Sequence, residues 1–355
     1  VEVVLTPGPE PKLPPLSVVV PSHQGEALLP RLAEALLPQL APGDEAILVD
    51  DGSTDGTAER AAALGFRVER LDRNRGAGRA RNEGSRAAKN DVLVFLDDDV
   101  LPAPDYLARV REAFADPAVE CCQGAHALEP ANPDPDLWQR AEAILWRHTM
   151  ATACVGPDGC TVVASQAFNV RREAFLAAGG FREGFVGAPR AWRDGPNWRH
   201  VGGEEFDLTP RLLARTRIDF RPELVTRHHY QPALRRLRTL FGRARSYRTL
   251  YAGMPPRSRR AFLPVVLRCA LVAAAPLLLA AGFAWPPAWL LLAGAGLLLV
   301  LLDVRLLVDC ARWGRLLWFP WLEVQSFLKY LAIALGVLRG LGSRAPRDAR
   351  LTGGA

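Results

Sequence analysis

The sequence predicts an α/β domain with a mostly parallel central sheet, followed by C-terminal transmembrane helices. Three observations carry this. Short apolar runs, "LSVVV", "EAILV" and "VLVFL", alternate with segments of helical spacing, and strands alternating with helices form parallel sheets with right-handed crossovers. The runs end in polar clusters, Pro21-Ser22-His23, Asp50-Asp51-Gly52-Ser53 and Asp97-Asp98-Asp99, and sheets of this kind hold ligands at the carboxyl ends of their strands. Residues 262–338 approach membrane composition, while 16–230 keep the mixed pattern of a soluble protein.

In chain order, "LSVVVPS" is a buried strand closed by Pro21, and "EALLPRLAEALLPQL" has helical spacing. "EAILVDDGSTDGTAERAAALG" reads as strand, turn and helix, with Thr54 or Asp55 as cap and Gly65 as stop. "RVERLDRN" is a third strand, "GAGRARNEGSRAAKN" a glycine-led helix and "VLVFLDDD" the fourth strand, taken as extended through the aspartates. A helix over "PDYLARVREAFAD", which Asp105 can cap, a strand over "VECCQGAHAL" and a long helix over "PDLWQRAEAILWRHTMATA" follow. "FNVRREAFLAAGGFRE" is strand, helix and a Gly179-Gly180 stop; "GEEFDLTPRLLAR" opens a helix and "IDFRPELVTRHH" is the last strand.

The net charge of +6 is unevenly placed, because residues 227–260 hold ten arginines and no acid, leaving the rest net acidic. A basic stretch just before an apolar run fits contact with anionic headgroups; a solvated linker is the plainer alternative, and no recognition motif supports nucleic acid. Lys12, Lys89 and Lys329 are the only lysines, a bias pointing to a GC-rich, bacterial genome. The six cysteines form no CxxC pair or zinc spacing and are expected to be reduced and structural in a cytosolic domain. No basic-then-apolar pattern opens the chain, so no leader is expected; "TPGPEPKLPP" is a proline-rich lead-in.

The segments "VVVPSHQGE", "ILVDDGSTDGT", "NRGAGRARNEG", "VFLDDDV", "GGF" and "GEEFDL" stand in one order over residues 16–230. Together they resemble the inverting family-2 glycosyltransferases of the GT-A fold, the Rossmann-like fold of nucleotide-diphospho-sugar transferases. The resemblance implies a UDP- or GDP-sugar donor and a divalent cation, Mg²⁺ or Mn²⁺, which neutralises the departing diphosphate. Asp97 and Asp99 match the DxD motif: Asp99 binds the metal, and Asp97 works near the ribose and the metal's waters. Asp98 is the spacer between them and is counted with the nucleotide-binding set. Pro21, Ser22, His23 and Glu26 fall in the first nucleotide-contacting loop, with His23 and Gln24 where tyrosine and asparagine are usual. Asp50 or Asp51 holds base and ribose, although "DDGSTDG" also makes a turn. Gly76, Arg81 and Asn82 match the family's N-x-G and R-N positions at a helix N-terminus, which favours anions.

Glu205 aligns with the catalytic base of the family's GEDxDL segment, with Glu in place of the commoner Asp. Glu204 is the neighbour that can take that role, and Asp207 matches the motif's second acid. The plainer reading of all three is acids complementing a helix dipole. His228 matches a strand-end histidine that is a third metal ligand or contacts phosphate; packing alone is the alternative. A GT-A-like nucleotidyltransferase would carry a GxGTRxxP-type loop after the first strand, which "PSHQGEALLP" lacks. A membrane-anchored nucleotide-binding scaffold without activity is the other rival.

Residues 264–284 and 286–302 are apolar runs split by "WPPAW", read as a membrane hairpin. The third segment, 316–338, contains Glu323, Gln325 and Lys329, with arginines on both flanks; interfacial or re-entrant placement is favoured over a span. The predicted layout is lead-in 1–15, catalytic domain 16–230, basic juxtamembrane segment 231–260, hairpin 261–303, and third segment with tail 304–355. A membrane or a lipid-linked acceptor is the implied partner, and the absence of QxxRW favours single transfer. Loop 185–202, with Trp192 and Trp198, is a candidate acceptor lid.

Overall fold

The structure, a computed structural model, describes residues 13–152, 155–156, 159–160, 162–182, 204–244 and 256–341. Trp192, Trp198, most of the proline-rich lead-in and the end of the basic tail lie outside the described residues. Two compact units divide the chain. The first comprises Val1–Ala125, Pro157–Phe181 and Arg211–Thr226; the second comprises His126–Gly156, Arg182–Pro210 and Arg227–Ala355.

In the first unit the strand-helix alternation is as the apolar runs predict. β1 (Leu16–Ser22), α1 (Leu29–Leu36), β2 (Glu45–Asp50), α2 (Thr57–Leu64), β3 (Arg67–Arg70), α3 (Ala77–Ala87) and β4 (Val92–Phe95) follow one another. β1 pairs in parallel with β2 and β4, and β2 with β3. Every residue of β1 and β4 is buried, which explains the apolar runs 18–21 and 92–95. Gly65 ends α2 in the left-handed region, φ 102°. A short strand, β5 (Val100–Pro102), then precedes α4 (Tyr106–Ala115) and β6 (Cys121–His126). Asp105 holds the N-cap position of α4, but its carboxylate goes to Arg109 Nε at 2.6 Å instead of capping.

After α5 (Leu137–Thr152) and the two-residue strands β7 (Val155–Gly156) and β8 (Gly159–Cys160) come β9 (Phe168–Arg171), α6 (Arg172–Ala177), α7 (Glu204–Leu213) and β10 (Asp219–His228). The main sheet has eight strands in the order β3-β2-β1-β4-β9-β6-β10-β5. β9 runs antiparallel to both β4 and β6, so the sheet is mixed beyond its parallel half. At this junction Phe95 packs against Phe168, Phe175 and Phe181, with centroids 5.3–5.9 Å apart.

The second unit is largely helical: α5 is joined by α8 (Ala233–Ala244), α9 (Pro256–Ala284), α10 (Pro287–Leu302), α11 (Val304–Arg312) and α12 (Phe319–Leu341). The Trp285-Pro286 turn reverses the chain between α9 and α10, and Phe283 meets Trp289 edge-on at 5.4 Å. Residues 266–284 and 316–339 are each long and apolar enough to cross a membrane; α10 qualifies only together with α11, from which it bends by 46°. Ala141, Ile144 and Leu145 of α5 form a buried cluster with Leu306, Cys310 and Leu322, flanked by Trp313, Trp318 and Trp321.

Candidate active site

The first unit brings the polar ends of β1, β2 and β4 together. Ser22 pairs with Asp50 in the β1–β2 register, and its carbonyl accepts the Asp51 N–H at 2.8 Å. The loop after β1 then braces the loop after β2. His23 Nδ1 lies 3.0 Å from the Asp51 carbonyl, and Gln24 N donates to Ser53 Oγ at 2.9 Å. Gln24 Oε1 accepts the N–H groups of Thr54 and Asp55 at 3.0 and 3.1 Å, while Nε2 donates to Thr54 Oγ1. Gln24 does this from φ 58°, a left-handed conformation uncommon outside glycine and asparagine. Glu26 Oε2 accepts the N–H of Gly56, the N-cap of α2, and places a carboxylate at the positive end of that helix. A Cβ at Gly25 would collide with Ser22 Oγ and the Asp98 carboxylate, so a larger residue there displaces the Ser22–Asp98 contact.

Asp50 and Asp51 are buried and committed to loop geometry. Asp50 Oδ1 accepts Ser53 N–H at 2.8 Å, and Arg70 Nε lies 3.3 Å from Oδ2. Asp51 accepts the N–H groups of Arg75 and Gly76 at 2.6 and 2.7 Å. Burial raises the Asp51 carboxyl above its ordinary range, with these two donors opposing the rise. The turn expected of "DDGSTDG" is therefore present, and Asp51 also shapes the approach to α3.

The triple aspartate is a turn, not a continuation of β4: Val100 N–H donates to the Asp97 carbonyl at 3.1 Å, and β5 begins at once. This corrects the expectation of extended chain through 97–99; the turn lets Asp98 meet Ser22 and Asp97 meet Arg81. Ser22 Oγ donates to Asp98 Oδ2 at 2.5 Å, and Arg81 Nη2 donates to Asp97 Oδ1 at 2.5 Å. Arg81 is buried, with its guanidinium 5.4 Å from the Phe181 ring centroid. Burial and the nearby Asp99 push Asp98 up to about 8; burial and Asp97 push Asp99 up to about 7. Asn82, expected at the nucleotide, spends both amide atoms on Phe181: Nδ2 donates to its carbonyl at 2.7 Å, and Oδ1 accepts its N–H at 2.9 Å.

The remaining predicted residues belong to the second unit. α7 begins at Glu204, the described part of which is its helical backbone. Glu205 is half-buried, and its carbonyl accepts Thr209 Oγ1 at 2.6 Å. Asp207 faces Arg182 at 3.4 Å. His228, closing β10, lies edge-on to His126 with centroids 5.6 Å apart and stacks on Tyr230 at 4.8 Å. His126 was missed by the sequence reading; its only signal is that it ends β6 as His228 ends β10.

Residues 17–176 match the profile of the family described as "Glycosyl transferase family 2". Residues 17–176 are thus similar to the domain of that family. Among curated proteins it is 37% identical over 148 residues to validoxylamine A glucosyltransferase of Streptomyces hygroscopicus subsp. limoneus, covering 38% of this chain and 32% of that one. It is 38% identical over 107 residues to undecaprenyl-phosphate 4-deoxy-4-formamido-L-arabinose transferase of Aeromonas hydrophila, covering 28% of this chain and 33% of that one. The chain thus spans about a third of the length of these relatives. Among solved structures, the mannosyltransferase PcManGT from Pyrobaculum calidifontis, in complex with GDP-Man and Mn²⁺, superposes with a TM-score of 0.60 at 22% identity, over 93% of this chain and 89% of that one. The fold is the GT-A-like α/β fold.

The carboxylates at the end of β4 suit a divalent cation. Carboxylate oxygens are hard ligands, and the half-buried, mutually repelling Asp98 and Asp99 are acids that a cation would hold ionised. Among the described residues, however, no three His, Cys, Asp or Glu side chains gather as a ready-made metal site.

Proposed function

We propose that this protein is an inverting, metal-dependent glycosyltransferase. It moves a sugar from a UDP- or GDP-sugar to a hydroxyl of a lipid-linked or membrane-proximal acceptor, once per encounter, on the cytoplasmic face of a bacterial membrane. The observation that carries this is the half-buried Asp97–Asp99 turn at the strand ends, held by Ser22 on one side and Arg81 on the other. The GDP-Man and Mn²⁺ bound by PcManGT and the undecaprenyl-phosphate in the Aeromonas relative's name support the donor, cation and acceptor classes. The apolar helices support the membrane.

Asp97 and Asp99 are the residues that would hold Mg²⁺ or Mn²⁺, which when bound neutralises charge on the diphosphate. Arg81 fixes Asp97 and keeps the turn from carrying three uncompensated charges. The loops shaped by His23, Asp50 and Asp51 receive the nucleoside, and His228 contacts phosphate or metal. Glu205 takes the proton of the acceptor hydroxyl as its oxygen attacks the anomeric carbon from the face opposite the diphosphate. The new glycosidic bond forms as the bond to the diphosphate oxygen breaks, and the electron pair leaves with the diphosphate, inverting the anomeric centre. Asp207, paired with Arg182, braces the helix that carries Glu205.

The test is a transfer and hydrolysis assay over a panel of UDP- and GDP-sugars with Mn²⁺ or Mg²⁺. Glu205→Gln is expected to bind nucleotide with metal but to lose transfer by ~10²–10⁴-fold, the worth of a general base. Asp99→Ala is expected to lose metal-dependent nucleotide binding. Wild-type transfer in Glu205→Gln removes Glu205 as base and moves the role to Glu204.

A further inference from the structure

By length and composition alone residues 316–339, which take in most of α12, could cross a membrane. Its packing within the second unit says otherwise. α8 lies along it: Leu240 and Ala244 of α8 form a buried cluster with Ile333 of α12. A Cβ at Gly336 would strike the Phe241 carbonyl oxygen, so the two backbones approach closely there. Arg339 sits over the Phe241 ring at 5.6 Å. One turn earlier Arg236 and Lys329 share a single acid, Glu142 of α5, at 3.0 and 3.1 Å. Gln325 donates to the same carboxylate at 2.8 Å and to the Trp138 carbonyl at 3.3 Å.

These contacts place α8 and residues 325–339 of α12 at one depth. α8 carries Arg235, Arg236, Arg238 and Arg243 within twelve residues. An arginine at the centre of a spanning helix costs ~2.5–3.5 kcal/mol even on the most lenient scale, and α8 would bring several. α5 is also tied to α11, through His148 and Asp309 at 2.7 Å. Arg315, beyond α11, reaches Glu129 at 2.7 Å. α11, Arg315 and α12 are thus fastened to elements that precede the first apolar helix.

We propose that α8 and α12 form a two-helix platform lying in the headgroup region of an anionic bilayer, and that only the α9–α10 hairpin crosses the hydrocarbon. Arg235 and Arg238 are exposed on α8 beside Leu234, and α12 exposes Leu328, Leu335 and Leu338. Basic and apolar side chains exposed together suit an anionic lipid surface. At the base of the hairpin Arg268 donates to Asp303 at 2.5 Å and to the Leu302 carbonyl at 2.8 Å. From Arg268 to the Trp285 tip is about 25 Å of helix, within a few Å of the hydrocarbon thickness, so the charged pair stays at the near interface. The arginines at 305, 312 and 315 and those of the tail then share the side of the catalytic domain, as the positive-inside rule favours. This inference stands apart from the transfer reaction.

The test uses the full chain in oriented membranes, in a cysteine-free background shown to keep the wild-type melting temperature. Arg312→Cys, Trp285→Cys and a cysteine appended after Ala355 are labelled with a membrane-impermeant maleimide from each side. Positions 312 and the C-terminus are expected to react from the side of the catalytic domain, and 285 from the opposite side. A C-terminus that reacts from the opposite side (a third span), position 312 doing so (α9 and α12 as the spans), or 285 reacting from the catalytic side overturns the proposal. Depth is read separately with a fluorophore on Leu335→Cys and Leu338→Cys in vesicles containing brominated lipids. Quenching by bromines near the headgroup is expected, and quenching by bromines at the bilayer centre overturns it. A fluorophore on Leu234→Cys is expected to shift further to the blue when phosphatidylglycerol is added to phosphatidylcholine vesicles, and Arg235→Gln with Arg238→Gln to abolish that increment. No response to phosphatidylglycerol overturns the anionic partner.

Discussion

Replacing Arg81 with methionine keeps most of the side-chain volume and removes a positive charge that the structure sets directly against the aspartate turn. Arg81 is 3% exposed, and its Nη2 lies 2.5 Å from Asp97 Oδ1, on a side chain 26% exposed. Two unit charges centred ~4 Å apart attract by about 4 kcal/mol at an effective dielectric of 20. Desolvation of the arginine and solvent screening at Asp97 reduce the net contribution to roughly 1–2 kcal/mol. In a unit of this size each kcal/mol moves the melting temperature by about 2–4 °C, so Arg81→Met should melt ~2–8 °C below wild type in metal-free buffer. Removing the guanidinium also leaves Asp97, Asp98 and Asp99 more strongly repelling. Mn²⁺ should therefore raise the melting temperature of the variant by more than that of wild type. Thermal melts with chelator and with added Mn²⁺ measure both quantities. An unchanged metal-free melting temperature would refute the pairing argument, and no stabilisation by Mn²⁺ in either protein would refute the cation reading of the turn.

Other outcomes follow from single contacts. Asn82→Ala strands the N–H and carbonyl of Phe181 and should cost about 1–3 kcal/mol in chemical denaturation. Gly25→Ala forces the loop off Ser22 and Asp98 and should weaken nucleotide binding at least tenfold in a titration, with the fold kept by circular dichroism. Glu142→Ala leaves the partly buried Arg236 and Lys329 without their acid and should cost about 3 kcal/mol, the low end for a buried pair. Burial would raise the Glu142 carboxyl, but Lys329 and Arg236 outweigh it and hold it below its ordinary value. Its stabilisation is then present above the unfolded carboxyl value of 4.5 and is lost as pH falls through the lower folded one. Glu142→Gln should flatten that acid limb of the stability profile.

Local pattern sufficed for the alternation of strands and helices, for the glycine stops and for the positions of Ser22, Asp51 and Asp97–Asp99 at strand ends. Each depends on periodicity or turn chemistry within about ten residues. The same local logic failed at 97–99. Whether a carboxylate run extends β4 or turns is decided by Ser22, 76 residues away in sequence, and by Arg81. β5 escaped notice because three residues give no period, and its place at the sheet edge comes from pairing with a strand more than a hundred residues later. Gln24 stood out as a departure from asparagine, but its bracing of Thr54 and Asp55 required the two loops in space.

The sequence by itself determined the fold class, the likeness of residues 17–176 to glycosyl transferase family 2 and the apolar character of the C-terminal helices, because composition and short-range order carry that information. Tertiary structure decided what the charges in and around those helices do. Gln325 and Lys329 in an apolar helix are anomalies in sequence. Their partner Glu142 lies more than 180 residues earlier, and only packing α5, α8 and α12 together shows that an apolar segment is held at one depth with a basic helix. Burial and long-range charge pairing are properties of the assembled unit, and no window along the chain contains them.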